Sequence, residues 1–311
     1  MLGIDIGSSS VKVVAMARGI RGWRCCAWAL EAVGGAAQND LQTVLHTCIG
    51  QTLPALPRSQ RKLAICLPAS DIMLKKISVP ADFDDVEICA LIAAEAPGWF
   101  SLSAAEIFFD YNLRARHDAT GQRELDLVAC PRESLQRRLR LFHNLRVAVD
   151  VVDTEAFALL RSCRHPAVDG LLVVLDLGQS AMSLHAYDAG ALLYSRRFPY
   201  TGSLPRQPLA IKDRLTQEVR RAMQLFAITA GQAVPEQTVL AGGLAGIDGL
   251  PRSLVQYCGT DVQVIDTGPA AVNACPGDAS MRADMALARG LASRNRVINP
   301  DALTGFSGMF R

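Results

Sequence analysis

Two short stretches place an acid where an apolar strand has no ordinary use for one. Residues 3–9 read Gly-Ile-Asp-Ile-Gly-Ser-Ser, and residues 174–180 read Val-Leu-Asp-Leu-Gly-Gln-Ser. Each is an apolar run, an acid, an apolar residue, a glycine and small polar residues, followed by a second run. Burying Asp5 or Asp176 alone would cost several kcal/mol, so each asks for a metal, a ligand or a paired base. Gly7 and Gly178 let the backbone turn tightly. The N–H groups of Ser8, Ser9 and Ser10, and of Gln179 and Ser180, can then approach phosphate oxygens. A carboxylate at a strand end can hold a hydrated Mg²⁺, which makes Asp5 and Asp176 the candidate metal residues. Lys12, in the return strand of the first hairpin, can neutralise charge there.

The two copies lie 176 − 5 = 171 positions apart, about half the chain, and so mark an internal repeat. Two such hairpins, one per lobe, would grip a triphosphate from both sides. A third element, Val239-Leu240-Ala241-Gly242-Gly243, reads as a strand ending in glycines before a helix. Gly242, Gly243 and the nearby Gly249 would admit a flat purine close to the backbone. Asp-x-Gly alone is a weak signal and an ordinary turn explains a single copy. Two copies at lobe spacing, with the paired glycines after them, form a specific combination.

Other elements must position these residues. Strands are expected at 2–6, 11–16 and 22–30, with a helix at 40–53 whose Leu41, Val44, Leu45, Cys48 and Ile49 share a face. Short strands at 62–67 and 72–79 follow. Asp84-Asp85-Val86-Glu87 has capping-box spacing, and its helix is expected to stop at Pro97-Gly98. Strands at 107–116 and 124–128 flank a polar hairpin loop at 117–121. A basic amphipathic helix is read at 131–144, a strand at 147–152 and a helix at 153–163, where Asp153 suits an N-cap. Pro166 and Gly170 punctuate a boundary at 165–170. Beyond it come the second acid-bearing strand, strands at 182–187 and 191–198, a helix at 213–229, a strand at 262–265 and a closing helix that ends at 292.

The totals exclude several classes. In 311 residues, 32 bases against 30 acids give +2, too balanced for a nucleic-acid surface. Nine cysteines and five histidines are scattered without metal spacing, so no zinc site or disulfide framework is expected, and free thiols suit a reducing cytoplasm. Asp5 and Lys12 interrupt the opening apolar run, which therefore does not read as a signal peptide. No run is long enough to span a bilayer, so membrane association is expected only through a partner.

On these motifs the chain resembles the actin-like ATPase superfamily, and within it the PilM family of type IV pilus assembly proteins, relatives of the cell-division protein FtsA. The resemblance covers residues 1–292. It rests on GIDIGSSSVKVV and LDLGQSAMSLHAY at the two phosphate positions, and on TEAFALLR and ALARGLA at the connecting helices. QEVRRAMQLF matches the second lobe's nucleotide helix, and LAGGLAGIDGL the adenosine motif. The block from AICLPASDIMLKK to AEIFFDY looks like the subdomain that PilM and FtsA carry within the first lobe.

The resemblance implies an α/β, actin-like (ribonuclease H-like) two-lobed ATPase fold with a duplicated α/β core and an FtsA/PilM-type inserted subdomain. The first lobe would span 1–165 with the insert at about 67–145. The second would span 166–292, its closing helix at about 281–292 returning to the first lobe, and a tail would follow at 293–311. ATP and Mg²⁺ are the implied cofactors. Glu218 and Arg221, at i and i+3, would contact ribose and adenine, or else form a surface ion pair. Asp153, with Glu155 the alternative, would position an attacking water, with hydrolysis weak or absent. The implied partner is the cytoplasmic N-terminal peptide of the membrane protein PilN, held between the insert and the first lobe, with other pilus machinery proteins beyond it. The protein would then sit in the cytoplasm, tethered to the inner membrane. A small-molecule kinase, a filament-forming or chaperone-like ATPase, and a secretion or competence relative of PilM are the competing readings.

Overall fold

The computed structural model describes residues 1–20, 22–34, 40–117, 121–145, 147–163, 170–205, 207–229, 234–265 and 283–294. The expected loop tip at 118–120, the boundary at 164–169, the start of the closing helix at 281–282 and the tail from 295 lie outside the described residues.

In chain order the elements are β1 (Leu2–Ile6), β2 (Ser10–Gly19), β3 (Gly22–Ala32), α1 (Leu41–Thr52), β4 (Leu63–Leu67), β5 (Met73–Pro80), α2 (Asp85–Phe100), β6 (Ile107–His117), β7 (Gln122–Pro131), α3 (Arg132–Arg140), β8 (Val151–Thr154) and α4 (Glu155–Ser162). Then come β9 (Leu171–Leu177), β10 (Ala181–Asp188), β11 (Ala191–Pro199), α5 (Pro208–Thr229), β12 (Gln237–Ala241), α6 (Leu250–Cys258), β13 (Val262–Val264) and α7 (Ala286–Ala292). The chain divides into two compact units, one of residues 1–61 and 155–294, the other of residues 62–154.

The first unit contains the repeat. In its first sheet β2 pairs antiparallel with β1 on one side and β3 on the other. In its second, the order is β11-β10-β9-β12-β13, with β12 parallel to β9 and to β13. The copies match closely. The turn bond from Gly7 N–H to the Ser10 carbonyl (3.0 Å) is repeated from Gly178 N–H to the Ala181 carbonyl (3.1 Å). Val33 N–H donates to the Ser9 carbonyl, and Tyr200 N–H to that of Ser180. A bulge between Ala15 and Met16 recurs between Ala186 and Tyr187, the same 171-residue offset.

Period-two alternation sorts the second sheet's faces. Leu171, Val173, Leu175, Leu177, Met182, Leu184 and Ala186 pack in one core with α5 and α6 residues such as Val219, Phe226 and Leu254. The opposite face carries Asp176, Ser183, His185 and Tyr187, whose hydroxyl donates to the Ala156 carbonyl at the start of α4.

Helix α7 follows the second sheet in sequence but packs on the first. Met285, Ala288 and Ala292 share a buried cluster with Val14, Met16 and Cys25. Two glycines make this approach possible. A Cβ on Gly3 would stand 1.9 Å from the Ala288 carbonyl oxygen, and one on Gly290 would stand 1.8 Å from that of Ala158 on α4. Arg161 Nε donates to the Gly290 carbonyl at 3.0 Å across the same crossing, and the Ser162 hydroxyl donates to the Ala286 carbonyl.

In the 62–154 unit, α2 lays Ile88, Ile92 and Ala96 on the three-stranded sheet β5-β7-β6, against Val79, Phe109, Leu125 and Leu127. Burying each isoleucine contributes roughly 1.5–3 kcal/mol. Strands β4 and β8 pair in parallel, and Arg138 of α3 donates to the Cys66 carbonyl at 3.2 Å. Asp84 and Glu87 form the expected capping box. The expected stop at Pro97 is overturned, because α2 runs through Pro97 to Phe100 and ends at Ser101 with φ +57. Trp99 and Phe100 of that extra turn pack on the core, and Lys75 Nζ lies 5.3 Å from the Trp99 ring centroid. That packing outweighs the one hydrogen bond a proline removes. Helix α3 is shorter than the expected 131–144, β8 begins four residues after the expected strand, and the helix expected after the paired glycines is α6, which starts at Leu250.

Candidate functional site

Strands β1 and β2 place Asp5 opposite Lys12, and Lys12 Nζ donates to Asp5 Oδ2 at 2.9 Å. Both side chains are largely buried. Burial alone, the largest single influence, would depress the Lys12 ammonium. The carboxylates of Asp5, Asp176 and Asp284 more than reverse it, and the pKa is raised. Asp5 touches this cation, and the charges of Asp176 and Asp284 reach it. Burial, then the facing charge of Asp5, pushes the Asp176 carboxyl up to about 6, against the opposite pull of Lys12 and Arg197. Such a pair of close acids is short of positive charge.

Gly242 follows β12 with φ +90, a conformation that favours glycine. A Cβ there would stand 2.4 Å from Asp176 Oδ1 and 2.6 Å from the Leu177 carbonyl oxygen. The turn is pinned by Leu244 N–H to the Leu177 carbonyl and by Gly242 N–H to that of Ala283. Gly243 is next to Asp284, and Gly249 (φ +71) caps the start of α6. The repeat and the glycine turn thus bring Asp5, Gly7, Lys12, Asp176, Gly178, Gly242 and Gly243 into one region. Ser8, Ser9, Gln179 and Ser180 are exposed at the two turns, and Ser10 is half-buried.

The remaining expected residues lie on α5, β8 and α4. Glu218 on α5 pairs with Arg214 at 2.8 Å, one turn back, while Arg221 is exposed. Glu155 opens α4, is buried, accepts from the Ser183 hydroxyl at 3.3 Å and faces Arg197 at 3.7 Å. Asp153 lies not at the helix cap but within β8, buried, its Oδ1 accepting the Thr154 N–H at 2.8 Å. Sequence reasoning misses Asp284, whose short segment carries no motif, and Arg197, which reads as an ordinary strand residue.

The donor set suits a magnesium–phosphate ligand. Among the described residues, no group of three or more His, Cys, Asp or Glu side chains can hold a metal unaided. Mg²⁺ binds through one or two carboxylates and completes its shell with water and phosphate oxygens. Asp5 and Asp176 supply that number of carboxylates, and a bound cation would offset the burial and the Asp5 charge that raise the Asp176 pKa.

The paired hairpins, the glycine turn and the duplicated sheets define an actin-like α/β protein. A family profile described as type IV pilus assembly protein PilM matches residues 3–211, two thirds of the chain, and the chain belongs to that family. It is similar to a structure described as a PilM-PilN type IV pilus biogenesis complex, at 21% identity and a TM-score of 0.73, covering 94% of this chain and 97% of that one. Looser likenesses are to the cytoplasmic domain of EpsL, an inner membrane component of the type II secretion system of Vibrio cholerae (11% identity, TM-score 0.51, 95% and 96% covered). Another is to the ethanolamine utilization protein EutJ from Carboxydothermus hydrogenoformans (12%, 0.51, 94% and 88%). Among the described residues no helix is long and apolar enough to cross a membrane.

Proposed function

We propose that the chain binds ATP with Mg²⁺ at the Asp5 and Asp176 hairpins and serves pilus assembly by engaging the cytoplasmic N-terminal peptide of PilN. The carrying observation is the buried Asp5–Lys12 pair, within reach of the charges of Asp176 and Asp284, beside a glycine turn in which a Cβ would clash with Asp176. When bound, Mg²⁺ neutralises phosphate charge that two carboxylates would otherwise repel. Asp5 and Asp176 hold its water shell, the turn N–H groups of Ser8–Ser10 and Gln179–Ser180 receive phosphate oxygens, and Gly242, Gly243 and Gly249 leave room for the base. In this reading the lobes run 1–165 and 166–292, with the insert in the first. Glu218 and Arg221 face the ribose and base, and Asp153 or Glu155 orients water for weak hydrolysis.

The partner reading is supported by the likeness to the PilM-PilN complex. It is also supported by β5 and β6, the outer strands of the 62–154 unit's sheet, since a short extended peptide can add to such an edge. The protein would then be cytoplasmic and tethered through its partner. Calorimetric titration with ATP and Mg²⁺ is expected to show binding that Asp5→Ala and Asp176→Ala both abolish. A PilN N-terminal peptide is expected to bind the wild type. Absence of nucleotide binding in the wild type would overturn the first half, and absence of peptide binding the second.

A further inference from the structure

The repeat predicts more than two acids. In the first copy Asp5 is opposite Lys12, so an acid and a base share one cross-strand row. Adding 171 to each gives Asp176 opposite Ser183, an acid facing a small hydroxyl. The row continues one strand further, where Ser183 is opposite Arg197 on β11. Each copy therefore carries one acid and one base on the same row, but the second base is set back by a strand and the gap is filled only by a serine. Arg197 is close enough for its charge to act on both Asp176 and Tyr200.

Arg197 does not close on Asp176. It turns to Glu155 at the head of α4, at 3.7 Å, longer than a direct hydrogen bond. Its side chain is 32% exposed against 9% for Glu155. A guanidinium that is loosely paired, part-solvated and next to an unneutralised acid is poised to change partners, and its fork suits phosphate oxygens.

We infer that Arg197 is the second hairpin's phosphate-binding cation, the counterpart of Lys12, and that Glu155 competes with the phosphate tail for it. This rests on the nucleotide reading above. Binding would then draw Arg197 from Glu155, the buried acid at the head of α4, and so inform that helix of the nucleotide.

The test is a calorimetric double-mutant cycle with Mg²⁺ and ATP. Arg197→Ala is expected to weaken ATP about tenfold or more, as loss of a charge-assisted phosphate contact does. Glu155→Gln is expected to tighten it several-fold, and that gain is expected to vanish on the Arg197→Ala background. Opposite signs for the two single variants are not produced by simple misfolding, and thermal melts of all forms check this. If Arg197→Ala binds ATP within about twofold of wild type while Asp176→Ala does not bind, the inference falls and the nucleotide reading stands. If Glu155→Gln acts equally with and without Arg197, competition is excluded. If the wild type binds no nucleotide, both fall together.

Discussion

At the residue scale, the proposed nucleotide site would make Asp176 a link between acidity and ligand binding. Burial, then the charge of Asp5, pushes its carboxyl up to about 6. The magnesium nucleotide proposed above would need the ionised form, so below that pH a proton would compete with the metal. ATP affinity is expected to be flat above about pH 6.5 and to fall by up to about tenfold per unit below about 6. Calorimetry from about pH 5 to 8 in buffers of different ionisation enthalpy would show proton release on binding at the acid end. A profile without that inflection would mean that Asp176 does not face the metal. The two acids, Lys12 and the paired glycines are legible because each breaks a local rule: an acid in a strand, a glycine where a side chain would pack. Asp284 and Arg197 break none. An arginine in a half-exposed strand and an acid before a short helix look ordinary until the fold sets them beside the hairpins.

At the element scale, the crossing of α4 and α7 depends on Gly290. A Cβ there meets backbone, not a flexible side chain, so the helices must separate. Gly290→Ala is expected to destabilise by about 3 kcal/mol or more in urea unfolding. Gly246→Ala, with nothing within 4 Å of the added carbon, is the comparison and is expected to stay within about 0.5 kcal/mol. Equal effects would refute the close-packed crossing. Most elements are readable from periodicity and capping, α1 and the α2 capping box among them. The departures fall where tertiary packing overrides a local signal. Pro97 sits inside α2 because Trp99 and Phe100 pack on the core beyond it. The shared bulge at Ala15 and Ala186 has no sequence mark, since a bulge is set by pairing across strands.

At the scale of the whole molecule, two groups oppose each other in the pH dependence of stability. His185 is wholly buried on β10, its Nδ1 2.9 Å from the Ser195 hydroxyl, and burial lowers its pKa to about 3. Between its unfolded value of about 6.5 and that point the unfolded chain holds the extra proton, so acid removes stability at about 1.4 kcal/mol per unit. Asp176 acts the other way. From about 6 down to its unfolded value the folded state holds the proton, so acid adds stability. The two slopes offset each other across that window. His185→Gln is expected to be less stable than wild type at about pH 7.5, with the deficit shrinking as pH falls to about 5. Denaturant midpoints at the two pH values measure it, and a deficit independent of pH would show that His185 is not kept neutral by the fold.

The seating of α7 on β1 and β2 also sets an order of assembly. The ribosome makes the first hairpin early, yet Val14, Met16 and Cys25 gain their cover only when Met285, Ala288 and Ala292 emerge. That face of the hairpin thus stays without its helical cover while the residues between Cys25 and Met285 are made. That interval, not the finished protein, is where a holding chaperone would matter, and where a truncation before residue 283 would leave a chain that sticks to others.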